Sequence, residues 1–381
     1  MNFEFQLTNQ VFFGENTIDR LGELAKSLQA NSILVVTDPG IVAAGHVERA
    51  IASLKKESLE YQVFHEVEEN PTTKHVENGV QFAKSLPKLD LIIGLGGGSS
   101  MDCGKGINFL YSNGGKMEDY WGIGKATKPM LPSIGIPTTA GTGSESQSYA
   151  LISQEKTHIK MACGDKKARF KIVILDPALT QSVPDQVAIA TGLDAISHAV
   201  ESYVTTKRTP YSQMLAREAW RLLERNFERV IQEHHDVKAW GEMLLGAHYA
   251  GAAIENSMLG AAHACANPLT ANYGITHGLA VGLMLPHVIQ FNSEIVNGSY
   301  EELLDSAGLT NGERLNSAAI LADRIKEIRS FAAVPNNLRQ FSINKDDLND
   351  LASQAVKQWT GKFNPRPLSK SEFLNLYEAA F

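Results

Sequence analysis

Cysteine is scarce in this chain. Cys103, Cys163 and Cys265 are the only three in 381 residues, odd in number and far apart. Such a set builds no disulfide framework and points to a reducing compartment, so a cytoplasmic protein is the expectation. Basic runs are also missing. Thirty-five Lys and Arg stand against 42 Asp and Glu, for a net charge of -7 and a pI near 5.9, which disfavours nucleic-acid binding. No apolar segment approaches the roughly 20 residues that cross a bilayer, so no membrane span is expected. The opening residues, MNFEFQLTNQVFFG, lack a basic stretch followed by an apolar one, and a secretory signal is not expected either. No internal repeat and no low-complexity segment occurs.

What is present is an ordinary globular balance, 43% hydrophobic and 20% charged, at a length that suggests two domains. The first half alternates. SILVVTDPG predicts a buried strand over Ser32 to Val36, ending in a turn at Asp38-Pro39-Gly40. GHVERAIASLKK predicts a helix, YQVFHEV a strand, KHVENGVQFAKSL a helix and LDLIIGLGGG a strand. This is the pattern of βαβ units on a parallel sheet. ALISQEKTHIKMA predicts two antiparallel strands around a polar turn, and KIVILDP one strand more. Near residue 180 the character changes. Ser182, Pro184 and Asp185 form a helix-start signature with Ser182 as the cap, and helical periodicity then continues to the C-terminus, as in SQMLAREAWRLLERNFERVI. The expected organisation is an α/β domain over residues 1–180 and an all-helical domain over 181–381.

Two stretches of the first half suit a nucleotide. In LDLIIGLGGGSSMDCGKGINFL, Gly96, Gly97 and Gly98 let backbone N–H groups approach an anion, and the following helix points its positive end to the same place. The same glycines also serve a tight strand-to-helix turn with no ligand. IPTTAGTGSES adds the hydroxyls of Thr138, Thr139, Thr142 and Ser144 among small residues. Asp38, just past the first strand, stands where an acid accepts hydrogen bonds from a ribose diol, although Asp-Pro-Gly is equally ordinary turn chemistry.

In the second half, TGLDAISHAVESY puts Asp194 and His198 four residues apart, on one face of an apolar helix. A structural Asp–His hydrogen bond accounts for that pair alone. His263 and His277, in HACANPLTANYGITHG, extend it to three imidazoles and a carboxylate, a plausible shell for one divalent metal, Fe²⁺ or Zn²⁺. The small residues from Leu259 to Ala271 would let His263 come close, and Gly278 allows a sharp turn or a close backbone approach. His46, His65, His75, His158, His234, His235, His248 and His287 are read as surface or supporting histidines, with His287 beginning a helix near the site.

With these motifs in this order, the chain resembles the iron-containing, or group III, alcohol dehydrogenases over essentially its whole length. FGENTIDRLGEL, VTDPG, the Asn70–Thr72 NPT, GGGSSMDCGK, PTTAGTGSE, LDP, GLDAISHAVESY, HGLAVGLMLPHV and the late NPRP at 364–367 carry the resemblance. It implies an N-terminal α/β dinucleotide-binding domain and a C-terminal helical metal-binding domain, the fold shared with dehydroquinate synthase, with catalysis in the cleft. It places metal ligands at Asp194, His198, His263 and His277. It places NAD(H) contacts at Asp38, Gly97, Gly98, Ser99, Asp102, Thr138, Thr139, Thr142 and Lys160. An acid at Asp38 goes with NAD(H), because a 2′-phosphate would meet a like charge there.

One position departs from the family. Most members carry a second histidine where this chain has Asn267. An asparagine hydrogen-bonds but is no general base near neutral pH. Asn267 is therefore expected to orient the substrate from one helical turn beyond His263. The other reading is that it caps a helix break before Pro268. The expected reaction is hydride transfer between nicotinamide and a primary alcohol or its aldehyde. The terminal hydroxyl of a sugar acid, as in the enzymes that oxidise 3-deoxy-manno-octulosonate at carbon 8, is the narrower candidate. A homodimer is expected. The alternatives are a lyase of the dehydroquinate synthase type, kept open by Lys160, Lys166, Lys167 and Arg169, and a non-catalytic NAD-binding protein.

Overall fold

The structure, a computed structural model, describes residues 3, 5, 9–157, 159–310 and 316–381. The chain divides into two compact units, one of Gln6–Val183 and the other of Pro184–Phe381 together with Met1–Phe5.

The first unit is α/β. In chain order it holds β1 (Gln10–Phe13), α1 (Leu21–Ser27), β2 (Ser32–Val36), α2 (Pro39–Ala43), α3 (His46–Lys56), β3 (Glu60–Phe64), α4 (Thr73–Ser85), β4 (Leu91–Gly96), α5 (Gly98–Asn113), β5 (Gly122–Ile123), β6 (Ser133–Pro137), β7 (Tyr149–Ser153), β8 (Lys160–Gly164) and β9 (Ile172–Leu175). Six strands form one sheet in the order β1-β9-β6-β4-β2-β3, and every pairing in it is parallel. A smaller sheet runs β5-β8-β7, with β7 and β8 antiparallel as the sequence predicts.

Successive strand residues point to opposite faces, so both faces of the large sheet must be covered. Ile33 and Val35 of β2 join Ile93, Leu95, Ile134 and Ile136 in a core beneath α1 and α3. Leu34 and Val36 point the other way and pack with Ile92, Ile107 and Phe109. Because β2, β4 and β6 are neighbours and parallel, the loops at their carboxyl ends leave the sheet along one edge. Those loops carry Asp38, Gly97 and Thr138.

The second unit is helical: α6 (Asp185–Val204), α7 (Pro210–Gln232), α8 (Val237–Glu255), α9 (Ala261–Tyr273), α10 (His277–Ala307), α11 (Ser317–Phe331), α12 (Leu348–Ala355) and α13 (Lys370–Ala380). Among the described residues no strand follows Leu175. Helix α10 is long and apolar enough to cross a membrane by length and composition, yet 61% of its apolar window is buried, against α6, α9 and α11 among others. Its apolar surface belongs to this core.

Four local expectations need correction. Asp38-Pro39-Gly40 opens helix α2, with the Asp38 carboxylate accepting from the Ile41 N–H at 3.1 Å. Ser182 does not cap α6. Pro184 holds extended dihedrals, so the helix begins at Asp185, and the Ser182 hydroxyl instead meets His46 Nε2 at 2.7 Å. His287 lies inside α10, which begins at His277. Finally, Asn267 caps no break, because α9 runs straight through Pro268. Burial of every residue from Ala261 to Ala266 outweighs the hydrogen bond that proline forfeits.

Candidate active site

The glycine turn closes β4 and starts α5. Gly97 is the N-cap of α5 and offers no side chain, so the first N–H groups of this 16-residue helix have no side-chain cap and remain available to an anion. The two glycines that flank Gly97 are crowded. A Cβ on Gly98 would lie 2.7 Å from the Thr142 side chain, and one on Gly96 would lie 2.7 Å from the Ser100 Oγ and 3.1 Å from Asp38 Oδ2. Gly96 also has φ +143°, a conformation glycine alone adopts easily. The Thr138 N–H donates to Gly96 O at 3.0 Å, which fixes the TTAGTGS loop against the turn.

Asp38, Gly97, Gly98, Ser99, Thr138, Thr139 and Thr142 thus share one edge of the sheet. Asp38 Oδ2 accepts from the Ser100 hydroxyl at 2.8 Å, and with its cap bond this leaves acceptor capacity on the carboxylate. Lys160 comes to the same edge. Its Nζ donates to Asn70 Oδ1 at 3.0 Å, and the Asn70 N–H donates to Ser99 Oγ at 3.2 Å. Asp102 is buried beneath the turn, accepting from the Ser144 hydroxyl at 2.5 Å and from Lys105 Nζ at 3.3 Å. Lys105 is itself fully buried and donates at 2.7 Å to Ser144 O, Ser144 Oγ and Tyr149 O. Asp102 therefore ties helix α5 to the TTAGTGS loop. Asn70, Ser100 and Lys105 had not been singled out as contacts by the motifs, and Ser144, expected to offer its hydroxyl to a nucleotide, gives it to Asp102 instead. Their roles depend on partners 29 to 62 residues away.

In the helical unit the ligand atoms of Asp194, His263 and His277 all lie within 4.8 Å of one another. Asp194 Oδ1 is 3.4 Å from His263 Nε2 and 4.0 Å from His277 Nε2. His198 joins from one turn along α6, with Nε2 3.3 Å from the same oxygen and its ring stacked on His263 at 4.9 Å between centroids. Gly278 makes this convergence possible. A Cβ there would lie 1.8 Å from the backbone oxygen of Ala190 and 3.1 Å from Asp194 Cβ, so the start of α10 lies directly on α6. His158 lies outside the described residues.

The charge balance of this group is telling. Burial pushes the Asp194 carboxyl up, but His198, His263 and His277 outweigh it and hold the carboxyl well below the usual carboxylate range. Burial opposes charge on His263, yet Glu201 and Asp194 push its imidazole up to about 9. Asp194 Oδ1 and His263 Nε2 are buried with no hydrogen bond, which a native protein keeps only for a purpose. One carboxylate and three imidazoles around orphaned, inward-facing atoms fit a divalent cation.

Asn267 lies one turn beyond His263 on α9, half-buried, with Nδ2 donating to Gln358 Oε1 at 3.0 Å. Gln358 had not been anticipated.

Comparison with known proteins identifies the family of both units. Residues 8–177 match the family described as iron-containing alcohol dehydrogenase, and residues 188–381 match the C-terminal domain of the Fe-containing alcohol dehydrogenase family. The chain is 32% identical over 376 residues to alcohol dehydrogenase 4 of Schizosaccharomyces pombe, covering 99% of this chain and 88% of that one. It is 32% identical over 383 residues to 1,3-propanediol dehydrogenase of Citrobacter freundii, covering 100% and 99%. The solved structure of a 1,3-propanediol oxidoreductase matches all of both chains with a TM-score of 0.96 at 30% identity. The chain belongs to the iron-containing alcohol dehydrogenases. It is an NAD-dependent, metal-dependent enzyme that carries out alcohol oxidoreduction.

Proposed function

We propose that this enzyme interconverts a primary alcohol bearing further hydroxyl groups with its aldehyde. The cation is Fe²⁺ or Zn²⁺, held by Asp194, His198, His263 and His277. NAD(H) is held by Asp38, Gly97, Gly98, Ser99, Thr138, Thr139, Thr142 and Lys160, with Asp102 supporting the turn from below. The observation that carries this reading is the convergence of three imidazoles on one buried carboxylate oxygen. When bound, the cation supplies Lewis-acid chemistry that lowers the pKa of an alcohol, and the nicotinamide takes or returns the hydride.

The chain's own residues set the orientation. Asn267 presents an amide that hydrogen-bonds a substrate hydroxyl but neither takes up nor releases a proton at neutral pH. Gln358 holds that amide in place. Two neutral amides favour a ligand rich in hydroxyls, which supports a diol or polyol. The terminal hydroxyl of a sugar acid such as 3-deoxy-manno-octulosonate is the narrower form of this reading.

A homodimer and a cytoplasmic setting belong to the same proposal. Strand β1 is an edge of the large sheet and leaves Val11 and Phe13 exposed, an edge that a second copy would cover. All three cysteines are buried free thiols, as a reducing compartment favours.

The test is a metal analysis of the purified protein, then NADH absorbance with a panel of propanol, 1,3-propanediol, glycerol and 3-deoxy-manno-octulosonate, each with Fe²⁺ or Zn²⁺ supplied. Turnover of hydroxyl-rich substrates ahead of propanol is expected. Preference for propanol refutes the substrate reading, and absence of any metal refutes the ligand set.

A further inference from the structure

Helix α9, which carries His263, begins without a cap of its own. Its N-cap is Gly260, which makes no side-chain hydrogen bond. The opening N–H groups of a buried helix need acceptors, and here they come from distant elements. The Ala262 N–H donates to Glu201 Oε1 of α6 at 2.7 Å. The Ala261 N–H reaches Asn364 Oδ1, the first residue of the NPRP stretch, at 3.4 Å. Asn364 is held in turn by a reciprocal pair with Asn292 of α10, at 3.1 and 2.7 Å. The other oxygen of Glu201, Oε2, meets His263 Nδ1 at 2.5 Å. Glu201 is buried.

Gly260 is required for this arrangement. A Cβ there would stand 2.9 Å from Glu201 Oε1 and 3.1 Å from Asn364 Oδ1. Its φ is -132°, so the backbone itself would accept any residue, and only the approach of these two side chains demands glycine.

We infer that Glu201 is the positioning residue of His263: in the neutral imidazole that a bound cation requires, it selects the tautomer in which Nδ1 keeps the proton and Nε2 faces Asp194 with a free lone pair. A carboxylate has no hydrogen to give, so the atom of His263 that faces it must be the donor. The two oxygens of Glu201 then fix the first turn of α9 and the plane of the imidazole together. A carboxylate behind a ligating histidine holds ring orientation and raises ligand basicity. Asn364 assigns the NPRP stretch its part, which is to close the other side of the same helix start. This inference rests on the ligand set proposed above.

Glu201→Gln is the direct test. Glutamine has one oxygen and one NH₂ where Glu201 has two acceptors. Keeping the bond to Ala262 turns the NH₂ toward Nδ1, which reverses the tautomer and puts a proton on Nε2. Zn²⁺ and Co²⁺ dissociation constants should rise by about 10- to 100-fold. The melting temperature of the metal-free protein should itself fall, since His263 loses the carboxylate beside it, and the further gain on adding metal should shrink. Gly260→Ala displaces the Glu201 carboxylate without touching its charge and should weaken metal binding in the same direction. It decides the matter alone if Glu201→Gln does not fold. Dissociation constants within about twofold of the parent for both variants overturn the inference, even if stability falls, because Glu201 would then only hold the fold. His277→Ala is the control. If the parent binds metal and His277→Ala does not, the ligand set stands and the two variants judge Glu201. If the parent binds no metal, both readings fall.

Discussion

Lys105→Met isolates the contact that holds the cofactor turn together. Methionine keeps most of the buried stem and removes only the ammonium group. Three acceptors at 2.7 Å, Ser144 O, Ser144 Oγ and Tyr149 O, then lose this donor. Asp102, 3.3 Å away and with its side chain only 10% exposed, loses its cation. Removing one member of a buried pair costs roughly 3–5 kcal/mol, because the remaining charge is left uncompensated. Set against a total stability of about 5–15 kcal/mol, that is a large share. For a unit of this size each kcal/mol lowers the melting temperature by roughly 2–4 °C, so a fall of roughly 6–20 °C is expected. Calorimetry of the cofactor-free protein measures it. Asp102→Asn added to Lys105→Met removes the stranded charge and should restore more than half of the loss. NAD affinity should fall in the single variant, since α5 and the TTAGTGS loop are no longer tied. A fall of less than about 2 °C, with the double variant no better than the single, refutes the view that this pair carries the turn.

Other outcomes follow from the same contacts. His277→Ala should remove the metal and abolish turnover while NAD binding persists; a metal content that stays near about one per chain refutes the ligand set. Asp38→Gly should weaken NAD and relax discrimination against NADP, and should cost only about a few tenths of a kcal/mol through the lost α2 cap, because glycine is itself tolerated at an N-cap; unchanged affinity for both cofactors removes Asp38 from the site. Asn267→Ala should lower kcat/KM for a polyhydroxylated substrate more than for propanol, and Asn267→His should improve propanol; an equal loss on both substrates with lower stability makes Asn267 structural. Burial, with Lys326 and Arg329 nearby, pushes His287 down to about 4. The unfolded chain then binds a proton that the folded chain refuses, so stability is lost as pH falls from about 6.5 to 4, by up to about 3 kcal/mol. His287→Gln should flatten that limb in urea titrations, and an unchanged acid limb refutes it.

Much of the framework is legible in local pattern. The alternation of Ile33 and Val35 with Leu34 and Val36 is written in five residues, and so is the parallel sheet they require. Asp194 and His198 at helical spacing announce a shared face. Glu201 was equally legible, three residues after His198 on the same face, but a carboxylate at that spacing reads as surface until its partner at Ala262 is known. Gln358 was not legible, because its bond to Asn267 spans 91 residues. At Pro268 the local rule pointed the wrong way. The preference of a residue before proline for extended backbone is small beside the burial of a whole helix face, and α9 continues. At Ser182 a good cap lost to Pro184, which keeps the preceding Val183 extended at ψ 132° and itself sits at ψ 144°, so the first turn waits for Asp185.

The crossing at Gly278 has a consequence for how this chain can change. There α10 meets α6 backbone to backbone, with Ala190 O where any side chain would begin. No repacking of neighbours makes space at such a point, so the separation of Asp194 and His277 is closed to stepwise variation. Asn267 and Gln358 instead meet tip to tip, and either can be exchanged without displacing a main chain. On the proposed role of Asn267, divergence toward new alcohols, in nature or by directed evolution, is thereby channelled into positions 267 and 358. The histidines and the aspartate can be inherited unaltered while the preferred substrate drifts.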